Sequence, residues 1–175
     1  MRIKIDVEKA IGQNAGKIYT ELSKYSSLQQ INLIEKTNLN DHDFYFALGW
    51  LARENKIRKD DETFALGETN LTSKIGVHAG RVWESLHVSG ELDISSIAQS
   101  THLEEKDVYA ALGWLAREGK IAEQKIVPAQ HQVPYVSSFT QSEETDAPLP
   151  LWLINDEEIT REKIKFRNQL KFRLK

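Results

Sequence analysis

Apolar positions fall at helical spacing twice in succession along this chain. Ile11, Ala15, Ile18 and Leu22 lie on one helix face, and Ile75, Ala79, Val82 and Leu86 repeat the stripe further on. Ser73 is placed to cap the second of these helices. After a Ser-Gly turn, Glu91-Leu92-Asp93 reads as a short strand leading into a helix from Ile94 to Ser100, with Ile97 and Ala98 inward. Leu33 and Ile34 hold those places in the earlier copy. A turn at Thr101-His102-Leu103 then gives way to a third helix. Its acidic start, Glu104-Glu105-Lys106-Asp107, suits the positive end of a helix dipole, and Gly119 stops it. The earlier third helix stops on Asn55, a residue that tolerates the left-handed conformation. Period-two alternation follows: Lys56 to Lys59, a turn at Asp60-Asp61-Glu62, and a return through Phe64 and Leu66.

The two stretches are one sequence written twice. Residues 11–57 align with 75–121 without a gap, and 20 of the 47 pairs are identical. The best block, Ala47-Leu48-Gly49-Trp50-Leu51-Ala52-Arg53-Glu54 with Lys56-Ile57, returns as Ala111-Leu112-Gly113-Trp114-Leu115-Ala116-Arg117-Glu118 with Lys120-Ile121. A duplication of this kind predicts two folding units, each long enough to enclose a small core of its own.

Two helices, a turn, a third helix and a β-hairpin make a winged helix-turn-helix. The pattern I-G-x-x-A-G-x-[IV]-[YW], followed by A-L-G-W-L-A-R-E-x-K-I, resembles a prokaryotic winged helix-turn-helix family catalogued mainly as a domain of unknown function. The resemblance spans residues 11–66 and 75–122. It implies an α+β, mainly helical fold: two tandem winged helix-turn-helix domains with a C-terminal extension. Nucleic-acid binding is what such a fold suggests, although fold alone does not settle function.

The second copy departs from the pattern after Ile121, where Ala122 to Pro128 offers no turn residue and Pro128 and Pro134 restrict pairing. The expected organisation is therefore a first repeat over 1–70, a second over 71–128 with a shortened wing, a linker over 129–150, and a basic and apolar segment over 151–175. Leu151-Trp152-Leu153-Ile154 is too apolar for a free tail. The last stretch alternates basic and apolar residues, which reads as a hairpin turning at Asn168-Gln169 or as a helix starting near Asn155.

Charge sharpens this division. The net charge of −3 is spread unevenly: +1 over 11–58, −3 over 75–122, −6 over 123–160 and +6 over 161–175. The basic end is either a solvated tail or a handle for an anionic partner. Without cysteine there is no disulfide, thiolate metal site or cysteine nucleophile. The five histidines show no metal-ligand spacing, and no phosphate loop, nucleophile elbow or paired-carboxylate arrangement occurs. No enzyme, cofactor or small-molecule substrate is expected. Met1-Arg2-Ile3-Lys4-Ile5-Asp6 lacks the apolar core of a signal peptide, so the expected location is the cytoplasm and a membrane role is disfavoured.

The outer stripe of the third helix decides between partners, because that helix enters the major groove in DNA-binding relatives of the fold. Val108, Leu112 and Leu115 face the core, which leaves Lys106, Ala110, Gly113 and Arg117 outward, matched by His42, Phe46, Gly49 and Arg53. Nucleic-acid candidates are His42, Arg53, Arg58, Lys59, Lys106 and Arg117, with Lys165, Arg167, Lys171 and Arg173 from the basic end. The stripe holds few cations, no Asn or Gln for adenine, and acids at its leading end. That composition suits protein better. The partner-contact candidates are Tyr45, Phe46, Gly49 and Trp50, then Tyr109, Gly113, Trp114 and Trp152. Glycine inside a helix costs about 1 kcal/mol against alanine, and it does so in both copies. Either it lets Trp114 or the first helix pack within one repeat, or something approaches the backbone there. Phe46, opposite the core, needs a cover: the other repeat, the C-terminal segment or a partner. The fold puts a DNA-binding, transcription-associated regulator first, with a protein-binding adaptor or scaffold as the alternative and a homodimer possible in either.

Overall fold

The computed structural model describes residues 6–121 and 171–175. In the first repeat, helix α1 (Val7–Leu22) is capped by Asp6, whose carboxylate accepts the Lys9 amide at 3.0 Å. Its buried stripe is Val7, Ile11, Ala15, Ile18 and Leu22. Strand β1 (Leu28–Gln29) leads into α2 (Gln30–Thr37), and α3 (Asp41–Arg53) follows a left-handed Asn38. Asn40 caps α3 through the Asp43 amide at 2.8 Å. Asn55 takes a φ of 57° to end it, as its side-chain chemistry allows. Strands β2 (Ile57–Asp60) and β3 (Thr63–Leu66) then form the wing, turning through Asp61 at a φ of 51°.

The second repeat begins differently from the sequence reading. Ser73 is not the cap; it lies inside a wide π-type turn, Thr72–Gly76, that runs into α4 (Val77–Ser89). The Leu71 carbonyl accepts both the Lys74 and Ile75 amides, so the backbone satisfies that helix end without a side chain. Strand β4 (Leu92–Asp93), α5 (Ile94–Thr101) and α6 (Glu105–Arg117) follow, with Asp93 capping α5. No helix among the described residues is long and apolar enough to cross a membrane.

The return strand of the second wing does not come from the residues just after Ile121. Strand β5 (Lys171–Phe172), at the far end of the chain, pairs antiparallel with β4. The register copies that of the first repeat: Leu28 faces Phe64 as Leu92 faces Phe172, and Ile57 faces Leu66 as Ile121 faces Leu174. Even the closing hydrogen bond recurs, Gly67 N–H to the Lys56 carbonyl and Lys175 N–H to the Lys120 carbonyl. The shortened wing expected from the sequence is thus replaced by a strand that arrives after residues 122–170. The physical reason is side-chain alternation: Phe172 is inward and Leu174 half-buried, while Lys171 and Arg173 face solvent. The expected linker, the Asn168-Gln169 turn and the helix near Asn155 lie outside the described residues.

The expectation of two self-contained cores also fails. One apolar cluster gathers Val82, Leu86, Ile97, Leu112 and Phe172 of the second repeat with Val7, Ile11 and Phe46 of the first. The other joins Ile18, Leu22, Leu33, Leu51 and Phe64 of the first repeat to Ile75 and Ala110 of the second. Ile11 and Ile75 are aligned residues, so each first helix inserts its opening turn into the other repeat's core. Burying one such side chain stabilises by about 1.5–3 kcal/mol. Each repeat therefore depends on the other for part of its apolar interior.

Candidate interaction site at the paired third helices

The outer stripes of α3 and α6 face each other. A Cβ built on Gly49 would sit 1.8 Å from the Ala110 carbonyl oxygen, and one on Gly113 would sit 1.9 Å from that of Phe46. Gly49 and Gly113 are aligned, as are Phe46 and Ala110, so the contact is reciprocal, like that of a two-fold dimer. This settles what the helical glycines do. They admit the other repeat's backbone, a close approach only glycine permits, and what a Cβ at Gly113 would meet is the Phe46 backbone, not the first helix of its own repeat.

Phe46 shows why the two faces are not identical. Its ring lies 5.0 Å from Tyr109, edge to face, and 6.0 Å from Phe172. It is 7% exposed, covered by the second repeat and the returning strand together. Ala110, its counterpart, is small and slots into the first repeat's core. Tyr109 is buried, and His42 packs its ring 4.6 Å from it. Tyr45 is half-buried and shares hydrogen bonds with the Gln30 side chain.

At the C-terminal ends of the same helices the charges cross over. Arg53 donates from Nε to Glu118 at 2.7 Å, and Arg117 donates from Nε to Glu54 at 2.7 Å. Each guanidinium also lies 5.4 Å from the opposite tryptophan ring, Arg53 over Trp114 and Arg117 over Trp50. Trp114 donates its indole N–H to Glu118 at 3.2 Å. Lys56 and Lys120 reach the same two carboxylates at 2.9 and 2.8 Å. Burial pushes Glu54 and Glu118 upward, but hydrogen bonds from Lys56 and Arg117, and from Lys120 and Arg53, outweigh it. Both acids are held below the ordinary carboxylate range. The glutamates were not singled out from the sequence, although Arg-Glu at the same helix end in both copies was a visible signal.

Three further cationic candidates, Arg58, Lys59 and Lys106, are also engaged. Arg58 grips Asp60 through two hydrogen bonds, at 2.8 and 2.9 Å, and holds that acid below its usual range. The Lys59 ammonium donates to the Asp61 carbonyl within the wing turn. Lys106 binds Glu104 at 2.5 Å. Lys171 and Arg173 are exposed on the returning strand, and Lys175 meets Glu8 of α1 at 2.5 Å. Lys165, Arg167 and Trp152 lie outside the described residues. No three metal-ligating side chains converge among the described residues.

The helix order, the wing and the doubled register define two winged helices in tandem. A family described as Winged helix-turn-helix domain (DUF2582) matches residues 6–66 and again 70–130. The chain belongs to that family. An uncharacterized protein of Methanocaldococcus jannaschii is 42% identical over 65 residues, 35% of this chain and 93% of the relative. No solved structure matches. The DUF2582 matches cover one copy each, so the pairing of α3 with α6 is seen only in the fold.

Proposed function

We propose that this DUF2582 protein is a non-enzymatic protein-binding adaptor whose third helices join its two halves. One observation carries the reading. The stripe that would enter a major groove is occupied, with Phe46, Gly49, Tyr109, Ala110 and Gly113 buried between the repeats. Inserting α3 or α6 into DNA would require separating two backbones now in direct contact. Apolar surface remains elsewhere, on the first helix of the second repeat. Val77, Trp83 and Val88 are exposed there, and Trp83 stacks on His87 beside a groove of about 360 Å³ floored by Gly76, Ala79 and Gly80. Exposed aromatic residues next to a small-residue notch are the composition of protein interfaces.

DNA binding is the second reading, favoured by Arg58, Lys59, Lys171 and Arg173 lying outside the paired helices. Such cations contact phosphates and carry no base readout. A duplex titration of the full chain across a salt series separates the two. The adaptor reading expects weak, sequence-independent binding with a shallow salt slope, reduced by Arg58→Glu with Lys59→Glu. Tight, sequence-selective binding with a slope indicating six or more phosphates would overturn it.

A further inference from the structure

The second wing is completed by a strand from the far end of the sequence, seated in a groove between β4 and Ile121. Three features define the groove. Leu92 and Ile121 supply a pairing edge, in the register described above. An apolar pocket takes the first inward residue: Phe172 is 1% exposed, in one cluster with Val7, Ile11, Phe46 and Ile121. A carboxylate, Glu8, takes the cation three residues further on. In the first repeat the same edge is filled by Phe64 and Leu66, tied to β2 by the turn at residues 61–62.

We propose that the edge formed by β4 and Ile121 is a strand-accepting groove. Its ligand is an extended partner segment of pattern Phe-x-Leu with cations at the outward positions, and residues 171–175 are the resident occupant. The choice of ligand follows from the chemistry of what now sits there. Backbone pairing supplies affinity to any extended chain, while the phenylalanine pocket and Glu8 select the sequence. The resident pairing is short, two residue pairs and one bridge, so little backbone bonding must be given up. A partner protein displacing the strand would reach a pocket lined by both repeats. This last step rests on the protein-binding reading, whereas the groove itself rests on the pairing.

The test uses a fluorescent peptide of sequence Leu-Lys-Phe-Arg-Leu-Lys, titrated into the full chain and followed by anisotropy. The resident strand belongs to the same chain and competes for the groove, so the wild type should bind the peptide weakly. Phe172→Ala should bind it at least tenfold more tightly, because the resident strand has lost its anchor. Leu174→Ala, a half-buried position, is the milder variant should Phe172→Ala fail to fold, and it too should bind more tightly than wild type. A control peptide with serine in place of the phenylalanine and leucine should not bind either variant. The inference is overturned if neither folded variant binds more tightly than wild type, or if the serine peptide binds equally well. Tight, sequence-selective duplex binding would overturn the adaptor reading without touching this result, and failure of the peptide would overturn the groove alone.

Discussion

The two wings have the same register and are built by different routes. In the first repeat β2 and β3 are neighbours in sequence, joined by a tight turn with Asp61 in the left-handed region. In the second, Phe172 and Leu174 stand where Phe64 and Leu66 stand, but residues 122–170 intervene. What the difference teaches is that the wing strand is specified by its inward residues, not by its connection. A phenylalanine and a leucine two apart fill the same slot from either direction of supply. The repeats differ in a second way: Phe46 is large where Ala110 is small, so the pseudo-symmetric contact is filled from one side.

The strongest way to break this comparison is at the helix crossing. Gly113→Ala should destabilise the protein by about 3 kcal/mol or more, since the new Cβ meets backbone that cannot move without parting the repeats. Gly80→Ala, on an exposed helix face with nothing within 4 Å, should instead stabilise by about 0.5–1 kcal/mol. Denaturant melts of both variants check the opposite signs, and equal signs would mean that the crossing is not backbone to backbone.

Next in size is the anchor of each wing. Phe64→Ala and Phe172→Ala each remove a buried ring and should each cost about 3 kcal/mol. If the second costs less than half of the first, the distant strand contributes less than its register implies.

The crossed ion pairs are smaller. Both arginines are 45% exposed, so screening limits each pair to about 0.5–1 kcal/mol in a double-mutant cycle. Arg53 with Glu118 and Arg117 with Glu54 should give the same coupling within error, and unequal values would show the two-fold relation to be broken there too.

The pH dependence follows from the same glutamates. Their folded pKa values lie below the unfolded ones, so the stability they contribute is fully present above the ordinary glutamate value of 4.5. It is lost as pH falls through the folded values. Glu54→Gln with Glu118→Gln should flatten the stability profile in that acidic window, read by thermal melts from pH 6 to pH 3.

The sequence carried the local elements well. Helical spacing, the Asn55 stop and the first wing were all legible, because each is decided within a few residues. Phe46 was legible as a covered residue too, since a large ring opposite the core needs something over it. The identity of that cover was not, because it depends on which helix faces meet, and both faces offered the same glycine and tryptophan. Ser73 misled for a local reason: a good capping side chain was present, but Leu71 already supplied the carbonyl. The second wing was missed because its strand lies beyond any window that periodicity can search. Glu54 and Glu118 went unnoticed because acids at a helix end look like solvated charges until an arginine from the other copy arrives.

The exchange of Ile11 and Ile75 between the two cores bears on how the protein is made. When a ribosome has released only the first copy, Ile18, Leu22 and Leu51 still lack Ile75 and Ala110, and Ile11 and Phe46 have nowhere to go. Completion waits for α6 and then for β5 at the far end of the chain, both with partners far upstream, and ordering of this kind slows folding. Equilibrium melting should then be one cooperative step. Two fragments divided between Leu66 and Asn70 should be poorly folded apart and should regain helix content when mixed.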